Sequence, residues 1–361
     1  MTSRAALPSF FPAFLLVLAA LATAPAGHAS GPAEAPAFSA LHVEGKQLLN
    51  AQGQPVQLHG VNYSGTEYAC IQGWGIFSGP SDGASVAAMK TWNVNAVRIP
   101  LNEDCWLGIN DAPVQYAGDS YRQAIAGYID LLRQNGLYAI LDLHWSAPGS
   151  MQATSTAPMP DRDHAPDFWT SVATTFKGND TVVFDLFNEP WPDNQDSPAA
   201  WTCWRDGGSC SGVPFEAAGM QTLIDAVRAT GATNVIALSG VSYGNALSGW
   251  LSYAPNDPLG NVVAAWHVYS FNVCSALSCF NSTASAVAAH VPLVVTEIGA
   301  VCNDGFMAMA TEWLDGKDAG YLAWTWNAWG SSCSSMALIS DYSGTPTPYG
   351  DAYRTHLATR P

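Results

Sequence analysis

From His59 to the C-terminal end, short runs rich in β-branched and aromatic residues alternate with stretches whose apolar positions recur every three or four residues. The first pattern fits strands and the second fits amphipathic helices. The runs "QLHGVN", "NAVRIP", "YAILDLHW", "TVVFDLFNEP", "NVIALSG", "VVAAWHV", "PLVVTEIG" and "YLAWTW" predict eight strands. Helices are predicted after them in "ASVAAMKTWN", "YRQAIAGYIDLLRQNG", "PDFWTSVATTFKG", "FEAAGMQTLIDAVRATG", near "NALSGWL", and in "ASAVAAH", "FMAMATEWLDG" and "YGDAYRTHLA". Such alternation implies a parallel sheet covered by helices. Eight repeats closing on themselves predict an α/β fold, a (β/α)8 TIM barrel forming one catalytic domain over residues 41–361. No Gly-x-Gly-x-x-Gly turn follows the first strand, so a dinucleotide-binding sheet loses its main support.

In a barrel of this kind the chemistry gathers at the C-terminal ends of the strands. Those ends carry Arg98, His144, Asn188 with Glu189, His267 with Tyr269, Glu297, and Trp324 with Trp326. Singly, most have ordinary explanations: an arginine paired with an acid, an interior histidine, a rim tyrosine, core tryptophans with Trp324 deeper than Trp326. Glu189 and Glu297 are harder to explain as structural residues, because each closes a strand that is otherwise apolar, and burying a carboxylate is costly without compensation. Two carboxylates facing each other across a barrel mouth are the minimal apparatus for glycoside hydrolysis.

The bulk properties narrow the partners. A net charge of −16 disfavours nucleic acid and anionic membrane surfaces. Arg4, the apolar run "FFPAFLLVLAALATA" and the small-residue site "GHAS" predict a secretion signal over residues 1–29, cut after Ala29, with a short lead-in over residues 30–40. The alternative, a membrane anchor, needs a longer apolar run and a charged stop. A secreted chain with eight cysteines and no C-x-x-C spacing is expected to form disulfides rather than a metal or redox site. Cys203 with Cys210 and Cys274 with Cys279 are close enough in sequence to close small loops.

The motifs "VRIP", "LDLHW", "FDLFNEP", "AWHVY" and "VVTEIG", in this order at strand ends, resemble glycoside hydrolase family 5, the cellulase-like retaining (β/α)8 glycosidases. The resemblance runs from about Leu41 to the C-terminus, and includes a short hairpin before the first strand in "LHVEGKQLLNAQGQPVQLHGVNYSG". It implies that Glu189 is the general acid/base and Glu297 the nucleophile. Asn188 would bond the sugar 2-hydroxyl, Arg98 would hold Glu297 charged and Tyr269 would orient it. His144 and His267 would contact sugar hydroxyls and the acid/base, and Trp326 would floor the subsite of the cleaved sugar. Glu67 is a weaker binding candidate. No metal or organic cofactor is required. With the barrel in place, Cys70 and Cys105 fall on neighbouring mouth loops, as do Cys302 and Cys333, so Cys70–Cys105 and Cys302–Cys333 are the expected further pairs.

Of the 14 tryptophans, Trp74, Trp106, Trp145, Trp191 and Trp329 lie in βα loops and are candidate subsite aromatics. The expected molecule is a secreted monomer that hydrolyses a β-linked polysaccharide, with β-1,4-glucan first and mannan second. The loop "CWRDGGSCSG" fits no pattern and could close one end of the cleft, giving exo action. A non-catalytic carbohydrate-binding barrel is the reading from another class, but it has little reason to keep both acids. The sequons at Asn62 and Asn281 are expected to go unused, Asn62 because it sits in a strand.

Overall fold

The computed structural model describes residues 1–3, 5–6, 8, 38–301, 305–330 and 335–360. The expected leader cleavage after Ala29 and the Cys302–Cys333 pairing lie outside the described residues. Among those residues, no helix is long and apolar enough to cross a membrane.

The chain from Phe38 onward opens with an antiparallel hairpin of β1 (Leu41–Glu44) and β2 (Gln47–Asn50), as the family resemblance implied. Eight parallel strands follow: β3 (His59–Asn62), β4 (Ala96–Asn102), β5 (Tyr138–Trp145), β6 (Val182–Asp185), β9 (Ile236–Ser239), β10 (Val262–Tyr269), β11 (Leu293–Gly299) and β12 (Gly320–Ala323). They close in the order β10-β11-β12-β3-β4-β5-β6-β9. The remaining pair, β7 (Gly207–Ser209) and β8 (Glu216–Ala218), is a second small hairpin in the excursion between β6 and β9.

The two-residue period of a strand sorts side chains into two layers. Val97, Ile99, Leu141, Leu143, Phe184, Leu238, Trp266 and Val268 belong to the large cluster that includes the helices. Ala96, Ile140, Val183, Ala237, Val263, Ala265, Val294 and Leu322 join Leu41, Leu48 and Val56 in a second cluster. The first hairpin thus contributes to the apolar floor of the barrel, and Leu41 N–H bonds the Asp180 carbonyl at 2.9 Å. Helices over Gly83–Lys90, Asp119–Gln134, Ala165–Phe176, Met220–Ala229, Phe306–Asp315 and Pro348–Leu357 cover the outside, close to their predicted places.

Two local predictions are corrected. The helix expected from Phe215 begins only at Met220, because Glu216–Ala218 pairs with Gly207–Ser209 and Ala218 N–H also bonds the Pro160 carbonyl. The helix expected near "NALSGWL" shrinks to Trp250–Tyr253. Among the described residues three disulfides are present, Cys70–Cys105, Cys203–Cys210 and Cys274–Cys279, all in segments that follow the C-terminal ends of strands.

Candidate active site

Along several strands the alternate positions of the barrel interior change from apolar to polar toward the mouth. Ala96 is followed two residues later by Arg98, Ile140 by Asp142 and then His144, Val183 by Asp185, and Ala265 by His267 and Tyr269. Register shifts at Leu101/Asn102, Trp266/His267 and Val295/Ile298 fall beside His144, His267 and Glu297. Such bulges re-aim side chains next to functional sites.

Arg98 is the hub. Its Nε donates to Asp185 Oδ2 at 3.1 Å, Nη1 to Asn62 Oδ1 at 3.1 Å and Glu297 Oε1 at 2.7 Å, and Nη2 to Asn188 Oδ1 at 2.9 Å. Asp142 Oδ2 lies 2.7 Å from Nη2. A guanidinium has five N–H groups, and four hydrogen bonds together with the Asp142 ion pair engage it here. Burial opposes the charge on this fully buried group, but Asp142, Asp185 and Glu297 outweigh it and raise the Arg98 pKa. Three acids around one cation are not all balanced. Burial, reinforced by Asp142 and opposed by Arg98, pushes Asp185 up to about 7.

Glu297 is buried and accepts hydrogen bonds from Arg98 on Oε1 and from the Tyr269 hydroxyl on Oε2 at 2.5 Å. Gly299 makes room for that tyrosine: a Cβ there would come 2.5 Å from Tyr269 Cε1. Each of its two carboxylate oxygens thus has a donor.

The surroundings of Glu189 differ. Its Oε1 lies 2.9 Å from His267 Nδ1, while Nε2 of that ring lies 3.1 Å from Thr296 Oγ1. Burial pushes Glu189 up to about 7, against the pull of His144 and Arg98, although its side chain keeps 22 % exposure toward the cleft. Burial lowers His267 to about 4, with Arg98 and His144 adding and Glu297 opposing. Near neutral pH the imidazole is therefore uncharged, and a protonated Glu189 can donate to it. Carboxylate oxygens of Glu189 and Glu297 and a ring nitrogen of His267 all lie within 4.8 Å of one another. Among the described residues this is the one trio placed to share a cation. Its contacts to Arg98, Tyr269 and Thr296 fit proton handling better than coordination.

His144 completes the floor of the site. Its Nδ1 lies 2.9 Å from Asp142 Oδ2, and its ring stacks on Trp324 with centroids 5.7 Å apart and planes 13° apart. Burial would lower its pKa, but Asp142, followed by Glu67 and Glu297, pushes it up to about 9. Glu67 is buried nearby, accepting from Ser64 Oγ at 2.5 Å and Gly65 N–H at 2.6 Å.

The aromatic expectations divide. Trp326, expected as the subsite floor, is fully buried against Trp92, and Trp324 is the half-buried ring beside His144. Strand β12 stops at Ala323, before both tryptophans, so their depths do not follow from their order along a strand. Trp106 is also fully buried: it lies in a short helix over Glu103–Leu107 and packs on Tyr121, Phe168 and Phe176. Trp145 and Trp74 flank Tyr68, and Trp191 stacks on Tyr243 at 5.4 Å. Trp74 and Trp329 are exposed. Asn62 is buried with its amide donating to the Thr296 carbonyl, so that sequon is closed to modification. Sequence reasoning missed Asn62, Asp142, Asp185, Thr296 and Tyr243. For Asp142 and Asp185 a signal existed: each is an acid inside an apolar strand, in phase with inward positions.

Residues 49–332 match the model of Cellulase (glycosyl hydrolase family 5). The chain is 24% identical over 312 residues to a mannan endo-1,4-beta-mannosidase of Salipaludibacillus agaradhaerens, covering 84% of this chain and 86% of that protein. It is 25% identical over 294 residues to endoglucanase MaCel5A of Microbulbifer sp. (strain ALW1), covering 80% of this chain but only 50% of that protein. The fold is shared with beta-glucanase SdGluc5_26A from Saccharophagus degradans in complex with cellotetraose, at a TM-score of 0.68 and 19% identity over 92% of this chain and 98% of that one.

Proposed function

The chain belongs to glycosyl hydrolase family 5, and from that premise we propose that it is an endo-acting, retaining β-glycanase whose substrate is a β-1,4-linked polysaccharide. One observation carries the mechanism: the carboxylates of Glu189 and Glu297 approach within 4.8 Å at the barrel mouth. That spacing suits double displacement, for which carboxyl groups stand about 5–5.5 Å apart, better than inversion, for which they stand about 6.5–9.5 Å apart.

Glu297, held by Arg98 and Tyr269, attacks the anomeric carbon. Glu189, protonated near neutral pH, gives its proton to the departing glycosidic oxygen, and as a carboxylate then takes one from the incoming water. Asn188 offers Arg98 its carbonyl, so its amide N–H is the end that can donate to the sugar 2-hydroxyl. The Trp324 face backed by His144 suits the apolar C–H face of the sugar being cleaved. Export with removal of residues 1–29 is part of the same reading.

β-1,4-glucan is the first substrate, and mannan is the second because the relative named as a mannosidase matches over most of its own length. The test is hydrolysis of cellulose derivatives, mannan and xylan, with products sized and the first-formed anomer read by NMR. Initial β-anomer and a ladder of internal fragments are expected. An initial α-anomer, or intact polymer in every case, refutes the proposal.

A further inference from the structure

The excursion between β6 and β9 is where this chain departs from a plain barrel. Its first segment, Trp191 to Asn194, holds two consecutive non-glycine residues in the left-handed region, Asp193 at φ 65° and Asn194 at φ 50°. The loop after β9 holds two more, Ser242 at 55° and Tyr243 at 61°. The two loops are joined to each other: Tyr243 N–H bonds the Pro190 carbonyl at 3.1 Å, its hydroxyl donates to Asn194 Oδ1 at 3.0 Å, and its ring stacks on Trp191 with planes 16° apart. Left-handed non-glycine backbone is disfavoured and persists where surrounding structure enforces it, commonly at ligand clamps. Gly212 provides part of the enforcement. A Cβ there would come 2.8 Å from Asp193 N.

Beside this clamp lies a cavity of about 390 Å³ between Pro192 and Asp193, the helix Pro198–Asp206 and the tip carrying the Cys203–Cys210 disulfide. That volume falls in the small-ligand range of roughly 300–1,000 Å³. Its lining offers hydroxyls from Thr202, Ser209 and Ser211, one acid in Asp193, and apolar proline and disulfide surfaces. No lysine, arginine or histidine lines it, so an anionic ligand has no partner there. Asp193 is four residues from Glu189, at most about 14 Å along an extended chain.

We propose that this cavity is a remote subsite for the departing portion of the substrate, taking a neutral pyranose unit of a β-1,4-linked chain, with the Trp191–Tyr243 pair as the ramp toward it. The inference rests on the hydrolase reading above. It reverses the expectation that the cysteine-bearing loop closes the cleft: the loop lengthens the cleft on the Glu189 side.

The test is cleavage of cellohexaose and mannohexaose labelled with oxygen-18 at the reducing end, which reports which bond is cut. Thr202→Trp fills the cavity from an exposed helix position, and Tyr243→Ala removes the ramp. Both are expected to move cutting toward the reducing end, changing the ratio of bonds cut by roughly tenfold, equivalent to about 1.4 kcal/mol. The ratio is internal to each digest, so a variant that folds poorly still reports it. An unchanged ratio in Thr202→Trp with wild-type cleavage intact overturns the subsite and leaves the hydrolase reading standing. Wild-type protein that leaves both hexasaccharides whole overturns the hydrolase reading, and the subsite falls with it.

Discussion

Glu297 and Glu189 are the same residue type, at the same end of one barrel, with oxygens within 4.8 Å. Their neighbourhoods are opposite. Around Glu297 the neighbours are donors: a guanidinium locked in place by two further acids and two amides, and a phenol seated against a glycine. Around Glu189 the nearest group is an imidazole too buried to take a proton near neutrality, and burial pushes the acid itself up to about 7. Division of labour between two chemically equal groups comes from what surrounds them, not from their own chemistry.

The sharpest way to break the comparison is to swap each acid for its amide. Glu297→Gln is expected to lose on the order of 10⁴-fold or more in kcat on every substrate, as removal of a nucleophile does. Glu189→Gln is expected to lose about 10²–10⁴-fold on natural glycosides, and far less on an aryl glycoside whose phenolate departs without help. Equal losses on both substrate classes would mean the roles are wrongly divided. Next in size is Tyr269→Phe. Losing a hydrogen bond to a charged group costs about 1.5–3 kcal/mol, a fall of roughly ten- to a hundredfold in kcat/KM. A wild-type rate in that variant would show that the phenol is not part of the nucleophile's support.

The smallest effect is a displacement in pH. Glu189 must begin protonated, so kcat/KM is expected to fall as pH rises through about 7. His144, pushed up to about 9, is charged there and pulls Glu189 downward. Replacing it in His144→Asn should move the alkaline limb up, by on the order of half a pH unit for a charge at partly screened distance. A limb that stays put or moves down would remove His144 from the electrostatics of the acid.

The same contrast explains what the sequence disclosed. The two acids were legible because each ends an apolar run, where a carboxylate has no structural reason to be. Their supports were harder to see. Asp142 and Asp185 sit within strands that read as hydrophobic, and only the closed barrel brings them to Arg98 from 44 and 87 positions away along the chain. The two tryptophans of "WTW" read as a continuation of the last strand, and the strand ends before them. Trp106 reads as a βα-loop residue, whereas Asn102 caps a short helix there by accepting from Cys105 N–H, and the indole is buried. The hairpin of β7 and β8 leaves no trace in periodicity, being three residues on each side, with two glycines in β7.

The three disulfides among the described residues lie in the loops above the barrel, and none of these stitches a strand to a helix in its wall. The scaffold and its rim are therefore fastened by different chemistry, one by backbone ladders and packing, the other partly by sulfur. A mild reductant should act on the molecule like a key that fits only the upper storey. Protein made in a thiol-rich cytosol would keep the circular-dichroism signature of a finished barrel while its saccharide-handling surface slackens.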